Sequence, residues 1–162
     1  MPKQPTLAEA IKHLRDRPYM GGIERSKERT DATHEVFTDS TKAIDLVNRI
    51  EKFNPKLFTD PSKTIIDPAV GDGTLLAECL IRRLERGCGF EESLITLRGL
   101  DLMLDNVELC RERLLCGCEQ FRWWANKYIV QGDALNNAYN FGEPIKFGGG
   151  LSKGYDLFEI EE

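Results

Sequence analysis

No apolar run in the 162-residue chain approaches the roughly 18 residues that a membrane span needs. The first residues, MPKQPTLAEAIKHLRDRP, have no apolar core of the signal-peptide kind. A cytoplasmic location away from membranes is the resulting expectation. Cysteine is scarce as well. Its five residues are an odd number without framework spacing, and C-x5-C-x-C over Cys110, Cys116 and Cys118 lacks the paired C-x-x-C knuckles of structural zinc sites. Neither a disulfide scaffold nor a metal centre is expected. Positive charge is in deficit, with 22 Lys and Arg against 27 Asp and Glu, a net charge of −5 and a pI near 5.2. That balance excludes broad electrostatic capture of nucleic acid and leaves room only for a local site. The one candidate lies in the first thirty residues, where Lys3, Lys12, Arg15, Arg17, Arg25, Lys27 and Arg29 outnumber Glu9, Asp16, Glu24 and Glu28. An excess this small also fits a solvated helix and a polar lead-in. Internal repeats, G-x-G-x-x-G and G-x-x-x-x-G-K-[ST] are all missing.

The chain is nonetheless 41% hydrophobic, too apolar for a disordered polymer, and its length suits one globular domain. Residues 1–32 read as an N-terminal helix and polar linker, and 33–162 as the domain proper. Leu7, Ala10, Ile11 and Leu14 recur at helical spacing before Arg17-Pro18 and Gly21-Gly22 break the pattern, and a mobile linker to about Thr33 is expected. Ser40 or Thr41 is the expected cap of a helix through TKAIDLVNRIEKF, stopped by Asn54-Pro55 and Asp60-Pro61.

From Lys63 the pattern alternates. KTIID (63–67) predicts a strand, PAVGDG a loop, and TLLAECLIRRLERG a helix closed by Gly87. ITLRGLD (95–101) predicts a second strand, 102–117 a helix, and KYIVQGD (127–133) a third strand. A long loop then leads to a fourth, YDLFEI (155–160). Trp123-Trp124 reads as a loop covering the sheet, with base stacking as the competing reading. Strands alternating with helices imply right-handed crossovers and a doubly wound parallel sheet with helices on both faces.

Ligands of such sheets sit beyond the carboxyl ends of the strands. Three of those ends here carry an acid. Asp67 precedes a turn in which Gly71 and Gly73 let the backbone approach a ligand beside a helix N-terminus. Asp101 is placed to accept hydrogen bonds from a ribose diol, and Asp133 from an exocyclic amine. Three acids suit a nucleoside with a cationic or amino-bearing tail and would repel a diphosphate. The competing readings are an ordinary strand-to-helix turn and helix-capping aspartates.

Asp67-Pro68-Ala69-Val70-Gly71-Asp72-Gly73 resembles the first motif, D-P-A-x-G-x-G, of the N6-adenine branch of class I S-adenosylmethionine-dependent methyltransferases. His34-Glu35-Val36-Phe37-Thr38 is similar to that family's upstream G-E-V-F-T-P element, with His for Gly and Asp39 for Pro. Leu100-Asp101 resembles its second motif and Gly132-Asp133-Ala134-Leu135 its third, in the gamma order, over about residues 33–160. The resemblance implies a Rossmann-like doubly wound methyltransferase fold. It also implies S-adenosylmethionine as cofactor and DNA or RNA adenine as acceptor. Phe37 and Thr38 would border the methionine end, with Asp67, Pro68, Ala69, Gly71 and Gly73 wrapping it. Asp101, followed by Leu102, would hold the ribose, and Asp133 the adenine amine, with the amides of Ala134 or Leu135 near the ring.

The family's catalytic element, Asn or Asp followed by Pro-Pro and Tyr or Phe, has no counterpart, since the seven prolines stand apart at 2, 5, 18, 55, 61, 68 and 144. It belongs directly after the fourth strand, so the expected sheet, 3-2-1-4, is truncated there. The catalytic residues are unassigned. Tyr139, Phe141, Phe147 or Tyr155 with Glu159, Glu161 and Glu162 are the nearest substitutes. An apolar fourth strand carrying Leu157, Phe158 and Ile160 would be an open edge, which predicts a homodimer or a partner methyltransferase chain. Two function classes follow. One is an adenine-N6 methyltransferase completed by a partner or a substitute loop. The other is a catalytically silent module that binds S-adenosylmethionine or S-adenosylhomocysteine and regulates another enzyme.

Overall fold

A computed structural model describes residues 3–16 and 38–141. Helices α1 (Leu7–Asp16), α2 (Ser40–Phe53) and α3 (Lys56–Thr59) lead into β1 (Ile65–Asp67), α4 (Thr74–Glu85) and α5 (Phe90–Leu94). Strand β2 (Leu97–Asp101), α6 (Leu104–Leu115), a 3-10 turn (Glu119–Phe121), α7 (Arg122–Tyr128) and β3 (Ile129–Gln131) complete the order. The strands form one parallel sheet in the order β1-β2-β3, with Asp67 opposite Gly99, Gly99 opposite Ile129 and Asp101 opposite Gln131. This is the α/β arrangement that strand and helix alternation predicts.

The β1-to-β2 and β2-to-β3 crossovers step in the same direction. Right-handed connections therefore place α4 and α6 on one face of the sheet. There the core gathers Leu76, Leu80, Leu97, Leu114, Trp124 and Ile129, each essentially sealed from solvent. Each such side chain contributes about 1.5–3 kcal/mol on removal from water. The alternate side chain of β1, Ile66, points away from this core and is 48% exposed.

Helix α1 docks through the fully buried Ala10 and Leu14, four residues apart on one stripe. Arg15 adds a two-pronged ion pair to the buried Glu78 of α4, at 3.0 and 2.8 Å. Helix α2 lies against α4 through Val47 and Ile50. There Glu51 bridges Arg82 and Arg86, and the Arg86 bond above all holds its carboxyl below the usual range.

Several local expectations need correction. Asp39, rather than Ser40 or Thr41, caps α2, its carboxylate accepting the Lys42 amide at 3.1 Å. The tryptophan pair lies on helix α7 and not in a loop. Phe121, Trp124, Ala125 and Tyr128 follow helical spacing onto the core, and the Trp124 indole donates to the Leu97 carbonyl at 3.3 Å. That helix takes Lys127 and Tyr128, so β3 starts two residues later than the sequence suggests. Gly87 does close α4, at φ 89°, with its amide and that of Cys88 returning to Leu84 and Arg83. The linker to Thr33, Phe37, the fourth strand and the edge expected on it lie outside the described residues.

Candidate functional site

The carboxyl ends of the strands are built by short-range backbone chemistry. After Asp67 the chain turns at once: the Asp67 carboxylate accepts the Ala69 amide at 3.0 Å, and the Val70 amide donates to the Leu100 carbonyl at 2.7 Å. The loop thereby crosses from the end of β1 onto β2. Gly99 makes room for it, since a Cβ there would stand 2.9 Å from Val70 Cγ2. Beyond Val70, Gly71 and Gly73 both adopt left-handed backbone, at φ 54° and 85°. Those conformations cost an L side chain roughly 1–2 kcal/mol.

Asp101 ties this loop to the second strand end. Its Oδ2 accepts the Gly71 amide at 3.0 Å, while Oδ1 accepts the Met103 amide at 2.9 Å and the Asn106 side-chain amide at 3.1 Å. The carboxylate is thus oriented by three donors from three segments. Asp67 lies close enough to feel it. Burial first, and the Asp101 charge in addition, push the Asp67 carboxyl above its usual value, against the opposing bond from Ala69. Two acids held near one another at strand ends favour a ligand that brings positive charge or hydrogen-bond donors.

Thr38, Leu46, Asp67, Ala69, Gly71 and Thr74 are among the residues lining a cleft of about 150 Å³ beside this loop. Thr38 comes from the segment just before α2, so two stretches far apart in sequence meet at one opening. Pro68 is exposed, and Leu102 half-buried beside β2. Gly73 packs its Cα against α6, where a Cβ would stand 2.8 Å from Cys110 Sγ. Asp133, one residue beyond Gly132, is buried and folds into its own turn. It accepts the amides of Leu135 at 3.0 Å and Asn136 at 3.4 Å and the Asn136 side chain at 2.6 Å, while its backbone pairs with Ala138. Ala134 is half-buried and Leu135 is 94% exposed. The structure thus brings Thr38, Asp67, Ala69, Gly71 and Asp101 into one connected group. Asp133, Ala134 and Leu135 form a separate turn at the next strand end.

Sequence reasoning missed the polar group beneath the loop. Arg113 of α6 is fully buried and lies 3.5 Å from the Asp72 carboxylate, itself 2% exposed. Its Nη1 donates to Thr74 Oγ1 at 2.8 Å, and Thr74 in turn donates to Asp72 Oδ1 at 2.8 Å. The available signal was register. Asn106, Cys110, Arg113 and Leu114 share one buried stripe of α6, and an arginine on such a stripe needs a partner. No helix among the described residues is long and apolar enough to cross a membrane. Comparison of the chain with protein-family models, with curated proteins and with solved structures finds no match.

Proposed function

We propose that this chain binds S-adenosylmethionine at the carboxyl ends of its strands. In this reading it supplies the cofactor-binding part of a class I, N6-adenine methyltransferase acting on DNA or RNA. The observation that carries the reading is the meeting of Thr38 with Asp67, Ala69 and Gly71 in one cleft whose loop is fastened to Asp101.

The donor set fits such a cofactor. Its amino group and sulfonium carry positive charge and its ribose carries hydroxyl donors, which suits the Asp67 and Asp101 carboxylates. Burial and the acidic neighbour disfavour the ionised form of the Asp67 carboxyl, and a cation bound beside it favours that form. The cleft is smaller than the roughly 300–1,000 Å³ of typical ligand pockets, so it takes the amino-acid end alone. Asp101 would hold the ribose, its orientation fixed beforehand by Gly71, Met103 and Asn106. Asp133 would serve the adenine amine, on a turn whose geometry its own side chain sets.

When bound, the cofactor supplies a methyl group activated on a positively charged sulfur. Transfer to an adenine amine also requires the nitrogen lone pair to be held in line with that methyl, which accounts for several kcal/mol of barrier lowering. No two prolines are adjacent in the 162 residues, so the family's positioning element is not among them. In this proposal it is supplied from outside these residues or is replaced by a substitute loop.

Calorimetric titration of the full chain tests the reading. Micromolar binding of S-adenosylmethionine or S-adenosylhomocysteine is expected. Asp101→Ala is expected to weaken it more than Glu91→Ala, because a diol then loses an acceptor at a cost of about 1–3 kcal/mol. No heat from either ligand at about 1 mM would overturn the proposal. A labelled-methyl assay on DNA and RNA, with the chain alone, should show turnover far below the order of 1 per second of ordinary enzymes.

A further inference from the structure

Among the described residues, two arginines are sealed completely from solvent, and one of them reaches the candidate site. Arg113 Nε donates to the Leu14 carbonyl of α1 at 2.8 Å, and Nη1 donates to Thr74 Oγ1 at 2.8 Å and the Asp72 carbonyl at 3.4 Å. A guanidinium only donates and a carboxylate only accepts, so the Thr74 hydroxyl between them has one orientation. It accepts a hydrogen bond from Arg113 and donates its own to Asp72 Oδ1. Asp72 and Thr74 flank Gly73, whose left-handed backbone starts α4, and both line the cleft.

From this geometry we infer that Arg113 is a positioning residue for the ligand loop. Through Thr74 and Asp72 it holds the Gly71-to-Gly73 turn in its left-handed form, and through the Leu14 carbonyl it links that turn to the seating of α1. The inference rests on the cofactor reading only for what the turn is held ready to bind. Arg83 supplies the matched control, being equally buried and bonded to Leu57, Lys63, Ser93 and Thr96, none of which lines the cleft.

The test compares Arg113→Lys and Arg83→Lys in the full chain, with Thr74→Val and Thr74→Ser as a second pair that keeps both charges. Hydrogen exchange of the Gly71 and Gly73 amides is measured on the ligand-free protein, beside thermal melting and affinity for S-adenosylhomocysteine. Both lysine variants are expected to melt earlier. Only Arg113→Lys and Thr74→Val should speed exchange at Gly71 and Gly73, by about tenfold or more relative to core amides, and weaken the ligand by a similar factor. Thr74→Ser should restore both. Equal exchange at these amides in Arg113→Lys and Arg83→Lys, or in Thr74→Val and the native chain, would overturn the inference and make Arg113 a purely structural residue. A native chain that binds no ligand would remove the cofactor reading alone, since the exchange comparison still decides whether Arg113 holds the turn.

Discussion

The two ends of the sheet are each organised around a buried arginine, yet they are built on different principles. At the amino end Arg83 spreads its donors over the carbonyls of Leu57, Ser93 and Lys63 and the Thr96 hydroxyl, at 2.5 to 3.1 Å. All are neutral. With no carboxylate among those partners, burial pulls the guanidinium below its ordinary value, and what it contributes is saturation of otherwise orphaned acceptors. At the carboxyl end Arg113 faces a carboxylate within a loop of left-handed glycines, beside two further aspartates. The amino end therefore ties backbone to backbone, while the carboxyl end concentrates charge on a turn whose conformation needs external support. The first is a device for stability, and the second is the end at which the proposed reading places the ligand.

The sharpest way to break this comparison is Arg83→Met, which strands several buried acceptors at once. A loss on the order of 4 kcal/mol in urea denaturation is expected, without preferential loosening of the Gly71 turn. A loss below about 1 kcal/mol would mean that the carbonyls find other donors and that the amino end is not held by Arg83. Next in size is Gly73→Ala. Its φ of 85° and the approach to Cys110 Sγ at 2.8 Å together predict about 1–3 kcal/mol. Adding Cys110→Ala should recover the steric part and leave the backbone part, which separates the two contributions in the same measurement.

The smallest expected effect has the opposite sign. The Asp67 carboxyl is raised in the folded protein, so between its unfolded and folded values the folded state binds more protons than the unfolded chain. Stability from this group falls as pH rises from the ordinary carboxylate value near 4 through the raised folded value, and the penalty is complete above it. Asp67→Asn keeps an acceptor for the Ala69 amide and removes the charge. The variant should melt slightly higher than the native chain at pH 7, with the gap closing below about pH 4. Lower stability of Asp67→Asn at pH 7 would show that the two carboxyl-end acids do not oppose one another. In the cofactor reading the same substitution weakens ligand binding, so a gain in stability and a loss of affinity coincide at one residue.

Much of this architecture is legible because strand and helix periods alternate cleanly from Lys63 onward, and the acidic strand ends follow from the boundaries of those runs. The Asp39 cap is hard to single out because Ser40 and Thr41, directly after it, are capping residue types too. Helix α7 was hidden by aromatic residues, which favour strands and loops on propensity although Phe121, Trp124, Ala125 and Tyr128 sit at helical spacing. β3 is shorter than the sequence suggests for the same reason, since Tyr128 has strand propensity but ends α7. At the site, Asp67, Gly71 and Asp101 could be named from position alone. The partner of Arg113 could not, because that pairing is a contact with Asp72 across 41 residues and depends on the packing of α1 against α6. Pairings of that kind are set by tertiary distance, and nothing in local spacing encodes them.

The two adjacent indoles of α7 give the molecule a built-in optical contrast. Trp124 is sealed against β2 with its N–H on Leu97, whereas Trp123 is 55% exposed. An aqueous quencher meets the second indole long before the first, so the emission that survives quenching reports on the sheet alone. Loosening of β2 from α7 becomes visible as a red shift of that residual light without any label being attached.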